Sequence, residues 1–123
     1  MEKSEIKIEV ALDENSIPEK IQWSATDGAK KGDVTASFLS VWDAKAQNAL
    51  QVDLWTKEFT VDEMKLFTYQ NIMTMADTFE KATGMTDEAE DMRDFGRYMG
   101  ETLGLIKRTE PEKGSAADLK ANN

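Results

Sequence analysis

Phe38-Leu39-Ser40-Val41-Trp42-Asp43, then Leu50-Gln51-Val52-Asp53-Leu54-Trp55, then Phe59-Thr60-Val61-Asp62-Glu63-Met64 decide the fold, because the hydrophobic period changes once, sharply, across them. The first run is mostly apolar and ends in Asp43-Ala44-Lys45-Ala46-Gln47-Asn48, a polar connection. Leu50, Val52 and Leu54 then alternate with Gln51, Asp53 and Trp55, the period of a half-buried strand. At Thr60 the period becomes helical. Thr60 is spaced as an N-cap, Glu63 completes a capping box, and Phe59 can staple onto Met64 across the first turn. A hairpin feeding directly into a well-started helix is the expected centre of the molecule.

Upstream, Ile6, Ile8, Val10 and Leu12 share one strand face and Glu5, Lys7 and Glu9 the other, as in a strand with one wet side. Asp13-Glu14-Asn15-Ser16-Ile17-Pro18 is turn chemistry, and Ile21, Trp23 and Ala25 alternate as a second strand. Thr26 to Asp33 reads as a polar loop with two glycines. The third strand, about Val34 to Asp43, carries Ala36, Phe38 and Trp42 on one face and Leu39 and Val41 on the other. Apolar residues on both faces mean that both are covered, or that a bulge switches phase near Ser40.

Downstream, the first helix is expected over Val61 to Thr83 with Gly84 just past its end. Thr86 reads as the N-cap of a second helix that starts with Asp87, Glu88, Glu90 and Asp91 and continues through Met92, Phe95, Met99 and Leu103 to about Ile106. Gly96, Gly100 and Gly104 fall on one side of it. Each glycine costs about 0.8–1.0 kcal/mol against alanine in a helix interior, so either their alignment marks a close backbone approach by the sheet, the first helix or a second subunit, or Gly104 is simply a C-terminal stop and Gly100 is tolerated. Six methionines (Met64, Met73, Met75, Met85, Met92, Met99) lie in or between the helices, read mainly as core fillers. The expected architecture is α+β: a four-stranded antiparallel sheet followed by two helices packed on one face, a single domain over residues 1–106. Residues 107–123, rich in Glu, Lys, Ser, Ala and Asn, are expected to form a disordered tail.

Composition narrows the chemistry. The 123 residues contain no cysteine and no histidine. Thiolate catalysis, disulfides, imidazole base catalysis and His-ligated zinc are therefore excluded. No calcium-loop motif stands among the carboxylates, and no cofactor is expected. With 24 acids against 15 bases the chain carries a net charge of −9. Lys30-Lys31 and Lys107-Arg108 are too small a basic footprint for nucleic acid or an anionic membrane. No run approaches the ~20 apolar residues of a membrane helix, and Met1-Glu2-Lys3-Ser4-Glu5 lacks the apolar core of a signal peptide. The expectation is a cytoplasmic protein that is not an enzyme.

The chain resembles the gliding-motility protein family GldC. The resemblance is carried by Ser4-Glu5-Ile6-Lys7-Ile8, Leu12-Asp13-Glu14-Asn15, Pro18-Glu19-Lys20-Ile21 and Ala25-Thr26-Asp27-Gly28. It continues through Leu39-Ser40-Val41-Trp42-Asp43, Ala46-Gln47-Asn48, Asp53-Leu54-Trp55-Thr56-Lys57, Val61-Asp62-Glu63-Met64, Ala76-Asp77-Thr78-Phe79 and Met92-Arg93-Asp94-Phe95. It implies a non-catalytic accessory protein of gliding in Bacteroidota that acts by binding a component of the gliding or secretion machinery. Four strands followed by two helices is also similar to the export chaperone SecB, so a holdase for exported polypeptides is the alternative; topology alone does not transfer function. The candidate interface is Leu39, Val41 and Trp55, assigned by strand parity to the sheet face opposite the helices, with Gly96 and Gly100 as a site of close approach. Self-association through these residues is part of the same expectation.

Overall fold

Two turns built from the same chemistry organise the first half of the chain. In each, an aspartate side chain accepts backbone N–H groups just ahead of it: Asp13 from Asn15 and Ile17, Asp43 from Lys45 and Ala46. In each, a non-glycine residue near the end of the turn adopts a left-handed conformation, Ser16 at φ 62° and Gln47 at φ 57°. Aspartate stabilises such turns by mimicking a backbone carbonyl. In the computed structural model, which describes residues 2–108, these turns close two antiparallel pairs.

The chain divides into two compact units, Met1–Thr60 and Val61–Asn123. The first contains strands β1 (Ile6–Leu12), β2 (Pro18–Ala25), β3 (Lys30–Val34), β4 (Ala36–Asp43) and β5 (Asn48–Trp55). They form a three-stranded sheet of order β1-β2-β3 and a separate two-stranded sheet of β4 and β5. The expected four-stranded sheet is thus corrected to five strands in two sheets, and the order on which the likeness to SecB rested is five strands followed by two helices.

The additional strand is β3, where a loop was expected. Asp27–Ala29 makes a single 3-10 turn, with Gly28 supplying a φ of 75°, and Lys30–Val34 then pairs with β2. Its sequence, Lys-Lys-Gly-Asp-Val, lacks the alternation that announces a strand because it is a charged edge, a common way of blunting an exposed ladder. Gly32 sits opposite Trp23, and a Cβ there would lie 3.6 Å from the indole nitrogen. Across this sheet Val10, Ile21 and Val34 are directly paired, and Ile21 is the one large side chain fully buried among the described residues. Glu9, Gln22 and Asp33 line the polar face, with Gln22 donating to Asp33 at 3.0 Å. Pro18 opens β2 opposite Leu12, before β3 begins to pair, so its missing N–H interrupts no second ladder.

The second unit is a helical hairpin of α1 (Val61–Thr83) and α2 (Thr86–Thr102). Gly84, at φ 74°, ends α1 by donating its N–H to the Glu80 carbonyl. The expected N-cap at Thr86 is corrected: Met85 holds the cap position, without a side-chain bond, and Thr86 is the first helical residue. At the far end, Gly104 (φ 77°) donates to Glu101 and Leu105 to Gly100, which is a Schellman closure. That closure stops α2 at Thr102, short of the expected Ile106. Ala76 and Ala89 are completely buried. The residues expected in the tail lie, from 109 onward, outside the described part of the chain.

Candidate interaction surface

The β4–β5 register runs without a shift from Ala36↔Trp55 to Asp43↔Asn48, so no bulge changes phase at Ser40. Directly opposed residues share a face. One face therefore carries Leu39 beside Val52 and Val41 beside Leu50, an aliphatic square between Ser37↔Leu54 and Asp43↔Asn48. The other face carries Trp55 beside Ala36, Phe38 beside Asp53, and Trp42 beside Ala49. Both faces are open: the four residues of the square are 44–53 % exposed, and Trp42 and Trp55 are 62 % and 52 % exposed. Of the residues singled out by parity, Leu39 and Val41 lie together and Trp55 lies on the opposite face, with Phe38 and Trp42. Leu50 and Val52, half of the square, were not singled out; their alternation was visible, but only the register sets them beside Leu39 and Val41.

Gly96 and Gly100 are buried between the helices. A Cβ at Gly96 would come within 2.5 Å of Met73 Sδ and 3.2 Å of Ile72 Cγ2; one at Gly100 would come within 2.8 Å of Tyr69 Cε1 and 3.1 Å of Ile106. The close approach expected at these positions is made by α1 and by the residues after the Schellman turn. Within this chain the two glycines are packing positions, distinct from the hairpin faces.

Sequence reading missed the polar clamp on the helical hairpin. Arg93 of α2 reaches Asp77 (2.9 Å) and Glu80 (2.5 Å) on α1 and Glu90 (2.8 Å) on its own helix. Arg97 adds Asp94 at 2.6 Å. The signal was present in Asp77-x-x-Glu80 and Glu90-x-x-Arg93, one turn apart on each helix, yet their meeting depends on how the helices cross. The Arg93 guanidinium, hydrogen-bonded first by Glu80 and also by Asp77 and Glu90, is held more firmly protonated than usual, and Glu80 is held below the ordinary carboxylate range by Arg93 and by the Thr86 hydroxyl. Ile72, Met75, Asp91, Met92 and Phe95 line an open apolar groove on the hairpin. Among the described residues no three carboxylates are placed to hold a metal ion, and no helix is long and apolar enough to cross a membrane.

A protein-family model described as gliding motility-associated protein GldC-like matches residues 18–105. No curated protein and no solved structure matches the chain.

Proposed function

Because the chain belongs to the gliding motility-associated GldC-like family, we propose that it is a non-catalytic accessory protein of the gliding machinery, acting in the cytoplasm by capturing a protein component through its β4–β5 hairpin. The observation that carries this reading is the face of Phe38, Trp42 and Trp55. Exposed aromatic side chains are what protein-binding hot spots are made of; Trp55 and Trp42 stand toward opposite ends of this face, with Phe38 between them in register, and neither tryptophan is more than half covered. Trp55 thus keeps its proposed interface role, with Phe38 and, further along the same face, Trp42. We further propose that residues 1–106 behave as one domain. The absence of histidine and cysteine leaves few routes to catalysis, which supports an accessory role.

Affinity capture from gliding cells tests the reading. The wild-type chain should retain one saturable partner, and Trp42→Ser should lose it with its circular dichroism unchanged. The holdase alternative draws support from the same exposed surface. It requires suppression of aggregation of several unrelated clients, equally sensitive to Trp42→Ser, and no saturable partner.

A further inference from the structure

We infer that the aliphatic square of Leu39, Val41, Leu50 and Val52 is a homodimer seam, covered by the same square of a second copy of this chain. A two-stranded hairpin open on both faces is marginal in water and needs a covering layer. The square is contiguous, holds no charge, and presents four side chains that are each about half exposed.

Charge favours this face as the place where two copies would meet. Two chains of net charge −9 repel, so they meet most readily where the charge is absent. The hairpin from Ala36 to Trp55 carries only Asp43, Lys45 and Asp53; Asp53 lies on the other face, and the Asp43 carboxylate is engaged by the turn. A further open apolar site, the groove between the helices, includes Asp91 and borders a helix with six acids against two bases.

Shape favours it too. Leu39 and Leu50 occupy one diagonal of the square, Val41 and Val52 the other. A two-fold axis lying in the plane of the face, along or across the strands, sets every leucine over a valine of the other copy. Large then meets small at each position, as interdigitating layers require, in an isologous contact. Two sheets packed in this way stand about 10 Å apart. The square offers on the order of 300–400 Å² per copy, the scale of a functional patch on a monomer, against roughly 800 Å² per partner in a standard interface. The dimer is accordingly a weak one that forms and dissociates with concentration. It leaves the aromatic face outside the seam, so it neither requires nor excludes the partner reading above.

Sedimentation of the full chain between about 1 and 100 µM, the range in which a weak dimer populates, should show mass doubling. Val41→Lys should raise the dissociation constant at least about tenfold, because an unpaired ammonium is trapped in the seam, while Trp42→Lys leaves it within about twofold. A wild-type chain that stays monomeric throughout overturns the inference and assigns the square to another partner. Conservative variants guard against misfolding. The chain has no cysteine, so Val41→Cys and, on the opposite face, Ala49→Cys can each be treated with a short bis-maleimide. A dimeric product from Val41→Cys alone supports the seam; none from it, or an equal yield from Ala49→Cys, overturns it.

Discussion

Gly100 and Gly96 look equivalent in the sequence and are not equivalent in the fold. At Gly96 the nearest atom to a new Cβ is the sulfur near the end of a methionine, which can swing aside; at Gly100 it is a tyrosine ring backed by Ile106. Alanine gains about 0.8–1.0 kcal/mol of helix propensity at either position. Gly96→Ala should therefore be close to neutral, whereas Gly100→Ala should cost about 1–2 kcal/mol through overpacking. Urea melts that rank the two in the opposite order would refute this account. Thr56 is a second residue whose environment is only visible in three dimensions. It is 2 % exposed, and its hydroxyl has no hydrogen-bond partner among the described residues, although its backbone bonds Thr35 and Phe59. Thr56→Val removes an unpaid desolvation cost and should raise stability by about 1 kcal/mol in the same assay. Neither effect could be read from the chain alone, because sequence spacing places a glycine on a helix face but does not say what presses against it.

α1 and the start of α2 were legible to within a residue because those boundaries are written in side chains, whereas the end of α2, expected near Ile106, falls at Thr102. The capping signals at Thr60 and Glu63 and the glycine at 84 bracket α1 as it stands, Val61–Thr83. Thr60→Ala should cost about 1 kcal/mol, and adding Glu63→Ala should cost less than the sum of the two, since both belong to one box; additive losses in denaturation would place the helix start elsewhere. β3 was illegible for the opposite reason. It is held by its ladder with β2 and by the room Gly32 leaves for Trp23, features of the neighbour rather than of Lys30–Val34 itself. The separation of Trp55 from Leu39 and Val41 likewise follows from register, which the four-residue turn from Ala44 to Gln47 sets. Between the helices, the Arg93 clamp makes a pH prediction. Glu80 titrates lower in the folded chain than in the unfolded one, so its contribution is full above the ordinary glutamate range and is lost as the pH falls through its depressed value. Arg93→Met should lower the melting temperature at neutral pH and flatten its decline on the acid side. An acid limb as steep as that of the wild type would show that the clamp contributes nothing to stability.

For the whole molecule, a neutral seam on a strongly acidic chain has a measurable signature. Added salt screens the repulsion between copies and leaves the aliphatic contact intact, so raising the ionic strength from about 0.01 M to 1 M should strengthen self-association. A dimer that weakens with salt would instead be held by ion pairs. The melting temperature should also rise with protein concentration, as mass action requires when only the folded chain associates. The groups held by the Arg93 clamp extend this consequence beyond stability. Glu80 is shifted down and Arg93 and Arg97 up, each further from neutrality, and the chain has no histidine or cysteine to titrate between them. Neither an imidazole nor a thiol is present to report a cellular change of acidity or redox state. A weak dimer does register its own abundance, so the proposed seam would tie the assembly state of the chain to the rate at which a cell makes and destroys it.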